Sequence, residues 1–269
     1  MKKIKFLLFL LLASSMTFVA CSKDEEEEEE TPAKVDMKIV KSINEDGSYA
    51  VYLYNDDNNL KQILYKDKDG NDLPYYDDYQ YTGKDLTTYT FYKEGAPNIK
   101  LDITYVDGKP TNGNYQLDQG SGLADYLKFV YTFAGDNLTR FEYTMDLGSG
   151  QEVLYQVNYT YSGSNISKAE FMKYDPDGLK SDGYTDYTYD DKKNPQHGVG
   201  SDFIFGDVGS ISTNNIATSR KVSAADVAVD AESFDNTYEY NTNDYPVKVT
   251  SKTKDGQSTK ITIAEYENK

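Results

Sequence analysis

Glu152-Val153-Leu154-Tyr155-Gln156-Val157-Asn158-Tyr159-Thr160-Tyr161 runs into Ser162-Gly163 and, after Ser164-Asn165, into Ile166. Successive side chains of an extended chain point to opposite faces. Val153, Tyr155, Val157, Tyr159 and Tyr161 therefore share one face, and Glu152, Gln156, Asn158 and Thr160 share the other, with Leu154 the exception. A period of two with one wet face is the signature of an antiparallel strand. Ser162-Gly163 is turn chemistry. Leu127, Phe129, Tyr131 and Phe133 make a second stripe of the same kind.

The pattern recurs: aromatic-x-aromatic, a polar turn, an aliphatic residue about five positions on, then another alternating strand. It is found as Tyr52-Leu53-Tyr54 with Leu60, Tyr79-Gln80-Tyr81 with Leu86, Tyr131-Thr132-Phe133 with Leu138, and Tyr159-Thr160-Tyr161 with Ile166. It returns as Tyr187-Thr188-Tyr189 before Asn194-Pro195 and as Tyr238-Glu239-Tyr240 with Tyr245-Pro246. The starts are separated by 27, 52, 28, 28 and 51 residues. The doubled gaps predict degenerate units at Ile103-Thr104-Tyr105 and, more weakly, at Ile211-Ser212-Thr213-Asn214-Asn215-Ile216. Eight hairpin repeats of about 27 residues predict an all-β, antiparallel, up-and-down meander of about sixteen strands. So wide a sheet coils or closes, giving a closed or nearly closed, barrel-like sheet. The tyrosines of each pair are predicted to face the core, with Gln80, Thr132, Thr160, Thr188 and Glu239 wetter. The stretch 198–235 breaks the rhythm and reads as an irregular loop or plug, in which Ser223 to Glu232 could form a short helix.

The chain opens differently. Met1-Lys2-Lys3-Ile4-Lys5 is a basic start, Phe6 to Leu12 is an apolar run too short to span a bilayer, and Phe18-Val19-Ala20 leads into Cys21, the one cysteine. A small residue before a lone cysteine is the bacterial lipoprotein pattern, the thiol carrying the lipid. Residues 1–20 thus read as a lipoprotein signal peptide, 21–34 as a lipidated acidic tether and 35–269 as a single β-repeat domain. Glu25 to Glu30 are six consecutive glutamates, a self-repelling run that stays extended. Ser22-Lys23-Asp24-Glu25, directly after the lipid position, resembles the export signal that takes Bacteroidota lipoproteins to the outer face of the outer membrane. That reading predicts a lipid anchor on the outer membrane, facing the cell exterior.

Composition narrows the chemistry. With 28 basic and 45 acidic residues the net charge is −17, so phosphate backbones are repelled and nucleic acid is not expected as a partner. Membrane contact is expected through the lipid alone. Once Cys21 is lipidated no thiol is left for disulfides, thiolate metal sites or nucleophilic catalysis, and the single histidine, His197, excludes histidine-rich metal sites. Neither a cofactor nor a metal is expected. Asp67-Lys68-Asp69-Gly70-Asn71-Asp72 places glycine fourth rather than sixth, so it reads as a hairpin turn and not as a calcium loop. Asp175-Pro176-Asp177-Gly178 is likewise a turn, and His197 a loop residue. The tyrosines number 26 against 11 phenylalanines and no tryptophan, which suits half-buried strands or a ligand surface.

The Tyr-x-Tyr, turn, Asn-Leu rhythm resembles the tyrosine-aspartate repeats of large secreted bacterial proteins. Tyr189-Asp190-Asp191-Lys192-Lys193-Asn194-Pro195, Asn214-Asn215-Ile216, and Tyr238-Glu239-Tyr240 with Tyr245-Pro246 make the chain similar to a family of Bacteroidota surface lipoproteins described as having a porin-like β fold. The resemblance implies a barrel-like fold and supplies neither an activity nor site residues. At a mean hydropathy of −0.71 the chain does not carry the outward apolar band that a spanning barrel needs.

The expectation is a monomeric, non-enzymatic surface protein that binds or scaffolds a glycan or protein ligand. Two alternatives stand beside it: a carboxylate-dependent glycan hydrolase, and a purely structural component of a surface assembly. Cys21→Ser should abolish labelling by radioactive palmitate and release the protein from membranes or leave it uncleaved; persistent label would refute the anchor.

Overall fold

The computed structural model describes residues 34–148, 150–197 and 204–269. The signal peptide, Cys21, the Ser22-Lys23-Asp24-Glu25 run and part of the 198–235 stretch lie outside them. Lys34–Lys269 is one compact unit. Its strands are β1 (Met37–Asn44), β2 (Tyr49–Tyr54), β3 (Leu60–Lys66), β4 (Asp72–Thr82), β5 (Asp85–Lys93), β6 (Ala96–Val106), β7 (Lys109–Asp118) and β8 (Leu123–Ala134). They continue as β9 (Asn137–Asp146), β10 (Gln151–Ser162), β11 (Asn165–Lys173), β12 (Lys180–Lys193), β13 (Asn214–Val222), β14 (Phe234–Tyr240), β15 (Pro246–Thr253) and β16 (Thr259–Asn268). Each pairs antiparallel with its neighbours in sequence, and β1 pairs with β16 from Met37↔Asn268 to Asn44↔Thr262, closing a sixteen-stranded barrel.

Six of the eight even-numbered strands carry an aromatic-x-aromatic triplet at or near their ends, and β6 and β16 carry Ile103-Thr104-Tyr105 and Ala264-Glu265-Tyr266 in the same place, so all of these triplets lie at one end of the barrel. At every such hairpin the register slips by one residue at the same place. Gln80 faces Thr88 but Tyr81 faces Leu86; Thr132 faces Arg140 but Phe133 faces Leu138; Thr160 faces Lys168 but Tyr161 faces Ile166. The extra residue is a β-bulge, which bends and twists the strand. Where it carries a hydroxyl, that group closes the bulge: Thr87, Thr111, Thr139 and Ser167 donate to the carbonyls of Gln80, Thr104, Thr132 and Thr160 at 3.1–3.2 Å. Leu154, the exception to the alternation of β10, is itself a bulge, since the register with β9 slips between Val153 and Tyr155.

The second aromatic then reaches one hairpin back. Tyr161 Oη donates to the Leu138 carbonyl at 3.0 Å and Tyr189 Oη to that of Ile166 at 2.6 Å. Leu138 and Ile166, which receive these bonds, are buried, as is Leu86 at the same place in its own hairpin. The relation continues across the closure, where Tyr54 Oη donates to Ile39 and Tyr266 Oη to Pro246, both at 2.8 Å. Tyr266 faces Ile39 and Glu265 faces Lys41, the same slip as in the hairpins. The eighth unit is therefore split between the two termini, Ala264-Glu265-Tyr266 supplying one half and Ile39 the other.

This corrects the reading of Ile211 to Ile216. Ile216 faces Tyr189, so it is the aliphatic member of the Tyr187-Thr188-Tyr189 unit, and the doubled gap is an insertion in that unit's turn. It also corrects the stretch 198–235, which is not irregular throughout. Ile204 to Ile211 do enter the barrel, but Asn214–Val222 is β13 and β14 begins at Phe234. β13 reads weakly because its backbone ladder to β14 holds two register pairs, Thr218↔Asp235 and Ser219↔Phe234. Beyond them side chains take over, with Asn236 Nδ2 and Tyr238 Oη both donating to the Ile216 carbonyl at 2.7 Å. Ser223 to Glu232 is not a helix. Asp226 sits at φ 59°, closing a tight turn, and only Asp230–Glu232 winds into a 3₁₀ turn. The one described α-helical turn, α1, is Val208–Ile211 inside the barrel.

The aromatic pairs face inward. Tyr79, Tyr131 and Tyr159 are buried; Tyr52, Tyr54, Tyr81, Phe133, Tyr161, Tyr187 and Tyr189 pack against the same core; Gln80, Thr160, Thr188 and Glu239 are exposed. The outer wall is charged at mid-strand. Lys100–Asp102 and Lys168–Glu170 flank the inward Leu101 and Ala169, paired at 2.7 and 2.8 Å, and Arg140–Glu142 flanks Phe141. Lys248–Glu239 and Lys41–Glu265 continue the ring.

Tyr161→Ala should cost on the order of 3 kcal/mol in urea unfolding, since it removes packed ring surface and the bond to Leu138. Tyr161→Phe should cost about 1 kcal/mol, the worth of that bond alone. Thr160→Ala, on the wet face, should stay within about 0.5 kcal/mol.

Candidate functional site: a lumen divided by a plug

The chain between β12 and β13 leaves and re-enters the wall at the tyrosine end, and within it Ile204 to Ile211 occupy the lumen. Wall tyrosines fix this plug by its backbone: Tyr131 Oη donates to the Ile204 carbonyl at 3.0 Å and Tyr159 Oη to that of Gly206 at 2.7 Å. The Phe205 ring sits edge-on to Tyr89, with centroids 5.5 Å apart, and Ile204, Val208 and Ile211 are buried. Gly206 lies at φ 64°, and a Cβ there would meet the Phe141 ring at 2.7 Å, so the plug passes where only glycine fits. Asp207 caps α1, its Oδ2 accepting from Ser210 N at 2.9 Å. Asn194 donates to the carbonyls of Gly209 and Ser212, which closes the plug against the end of β12.

The plug leaves a cavity on each side. One, of about 620 Å³, lies against β9–β12 and is walled by aromatic rings such as Tyr143, Tyr155 and Phe171. The other, of about 380 Å³, lies against β1, β2 and β14–β16. Its lining mixes three tyrosines, Tyr52, Tyr238 and Tyr266, with the amides of Asn44, Asn194, Asn215, Asn236 and Gln196. The hydroxyls of Tyr238 and Tyr266 are spent on wall carbonyls, which holds the rings in place. Burial pushes Tyr238 up to about 12, so it stays a neutral donor. Both volumes fall in or near the range of small-molecule sites, roughly 300–1,000 Å³.

Two carboxylates take part in the inner wall. Asp77, two residues before Tyr79 and so on the same face, is buried and accepts from Tyr65 Oη at 2.6 Å and Tyr89 Oη at 2.7 Å. Burial raises its pKa, against the lowering effect of the two hydroxyls. Asp190 accepts from Asn215 N at 3.2 Å, from Asn215 Nδ2, and from Tyr240 Oη, tying β12 to β13 and β14 across the short ladder. The remaining acidic motifs are turns, as the sequence indicated. Asp67 Oδ1 accepts from the amides of Asp69 and Asn71 at 2.9 Å, and Asp175 Oδ1 from that of Asp177 at 3.1 Å. His197 is exposed in the turn after Asn194. Among the described residues no group of three or more His, Asp or Glu side chains is arranged to hold a metal ion.

Cys21, Ser22, Lys23, Asp24 and Glu25 lie outside the described residues. The described chain begins at the tyrosine end, where Val35 N donates to Asn243 Oδ1 at 2.9 Å and Lys193 pairs with Asp36 at 2.6 Å. The inward tyrosines of the cavity were legible in the alternation. The amides and Lys260 were not, because each lies on a different strand and no spacing connects them.

No protein-family model matches the chain, and no curated protein matches it. Among solved structures it is similar to a porin-like protein from Bacteroides uniformis, with 12% identity and a TM-score of 0.58 over 87% of this chain and 99% of that one. It is also similar to a porin-like protein from Bacteroides vulgatus, with 15% identity and a TM-score of 0.55 over 86% of this chain and 99% of that one. At these identities what is shared is the fold.

Asp77→Asn should change how stability depends on pH. The folded chain keeps the Asp77 proton at pH values where the unfolded chain, near 3.8, has released it. Stability therefore falls as pH rises from the unfolded value through the folded one, and is level above it. Urea midpoints measured from pH 3.5 to 7 should show this loss in the wild type relative to Asp77→Asn; parallel curves would refute it.

Proposed function

We propose that the chain is an exported lipoprotein, held on the outer face of the outer membrane by lipid on Cys21, whose barrel is a non-enzymatic receptor for an extracellular molecule taken into the lumen. The observation that carries this reading is the contrast between the two faces of the wall. Outside, charged pairs ring the barrel at mid-strand, where a spanning barrel would expose apolar side chains and a lysine or arginine at the bilayer midplane costs about 2–4 kcal/mol. Inside, tyrosines and amides line a plugged lumen with space on both sides of the plug. The porin-like architecture is thus read as a water-facing container rather than a pore.

The hydrolase alternative needs two carboxylates facing each other across a substrate. Asp77, whose pKa burial raises, has both oxygens taken by tyrosine hydroxyls, an arrangement that suits a wall strut better than an acid.

The mature full-length protein, incubated with extracellular bacterial and host glycans, should retain at least one of them without generating new reducing ends. Release of reducing ends would replace this reading with the hydrolase, and the absence of both retention and turnover would replace it with a structural role. Replacing Lys23, Asp24 and Glu25 by alanine should leave the protein lipidated but hidden from protease added to intact cells.

A further inference from the structure

Beyond that receptor reading, and without requiring a glycan, we propose that the larger cavity, between the plug and β9–β12, is a binding site for a small organic cation, its ammonium held among the aromatic rings of the wall and at the Asp207 carboxylate of the plug.

The wall supplies the rings. Tyr143 faces Tyr155 across the β9–β10 ladder, with ring centroids 5.7 Å apart. Phe171 continues the row, 6.2 Å from Tyr155, and Tyr159 and Tyr187 line the same space. Phe205, on the plug, lines it too and stays exposed although it lies inside the barrel. Two of these tyrosines are not struts of the wall. The hydroxyls of Tyr143 and Tyr155 bond to no described residue, whereas those of Tyr161 and Tyr189 tie hairpin to hairpin. The face of an aromatic ring is its electronegative part and attracts an ammonium within about 6 Å of the centroid. Phe171 already shows this chemistry: Lys221 reaches across β12 and sets its Nζ 3.9 Å from the Phe171 centroid. Lys221 stands next to the last residue of β13 and does not itself line the cavity.

The plug supplies the charge. Asp207 lines the cavity and is exposed within it. Its Oδ2 accepts from Ser210 N and Ser210 Oγ, both at 2.9 Å, while its Oδ1 bonds to no described residue. Burial, and to a smaller extent the charge of Asp207, push Tyr187 up to about 12, so the carboxylate stands near that phenol and the phenol stays neutral. Among the described lining residues Asp207 is the one charged group, and the sequence of 198–203 contains no lysine or arginine, so the plug brings no cation to compete for it. The net charge of −17 also makes the lumen favourable to cations. An anion would meet Asp207 with no counter-charge. A purely apolar ligand would cover an ionised carboxylate without pairing it, which is costly. An ammonium answers both the rings and the carboxylate, and a volume of about 620 Å³ admits it together with a substituent.

The test is isothermal titration of the mature full-length protein with choline and with dimethylbutanol, the neutral analogue of the same shape in which carbon replaces the nitrogen. Choline should bind at least about tenfold more tightly. Asp207→Asn, which keeps the cap on α1, should lower choline affinity about tenfold and leave dimethylbutanol unchanged. Tyr155→Leu should lower choline affinity about fivefold, and Tyr155→Phe should restore it, since the ring and not the hydroxyl makes the contact. Glu170→Gln, on the outer wall, should change neither, with circular dichroism confirming the fold of each variant. Equal affinity for choline and dimethylbutanol, no binding of either, or Asp207→Asn without effect overturns the inference. If glycans are retained but choline binds no better than its neutral analogue, the inference falls and the receptor reading stands; if choline binds as expected and no glycan is retained, the inference stands and the glycan receptor falls.

Discussion

The tyrosine hydroxyl that reaches back one hairpin to a main-chain carbonyl is the contact on which this barrel depends. At the turn end of each hairpin, a β-bulge leaves the local ladder short of one bond and bends the strand. A carbonyl left inside a closed wall without a donor would cost about as much as a lost hydrogen bond. Tyr161, Tyr189, Tyr54 and Tyr266 each supply that donor to the preceding unit, so these neighbouring hairpins are tied by a side chain as well as by their ladder. This explains the preference for tyrosine over phenylalanine at the second aromatic position. The ring fills the lumen, and the hydroxyl makes the link. The same link passes across the β1–β16 seam, so the termini are joined as any two hairpins are.

The plug uses the same chemistry. Tyr131 and Tyr159, the first aromatics of their triplets, have no preceding carbonyl to reach and instead hold the backbone of Ile204 and Gly206. A sixteen-stranded wall encloses more volume than its own side chains fill. The insertion in the Tyr187 unit supplies the missing core on one side, and its passage divides the remaining space into two cavities of different character: one aromatic, the other rich in amides. Where β13 and β14 share only two register pairs, Asn236, Tyr238, Asn215 and Asp190 replace the ladder with side-chain bonds. The polar lining of the smaller cavity is partly a by-product of that repair.

The sequence by itself determined the strand pattern, the number of strands and the inward face, because each of these is written within a few consecutive residues. Alternation puts Tyr159 and Tyr161 on one face, and Ser162-Gly163 can only be a turn. Only the tertiary structure decided which residues meet. The eighth unit is assembled from Ala264-Glu265-Tyr266 and Ile39, more than two hundred residues apart, and no local pattern marks the pairing. The stretch after Asn194 could be identified as an interruption, a loop or a plug, but the strand β13 within it could not, because β13 lacks a strong alternation of its own and on its β14 side is held largely by side chains. The cavity is the extreme case. Asn44, Asn194, Asn236 and Lys260 stand on separate elements, and a closed sheet alone brings them to one surface. A strand's two faces are fixed by local geometry, whereas the neighbours across the lumen are fixed by closure.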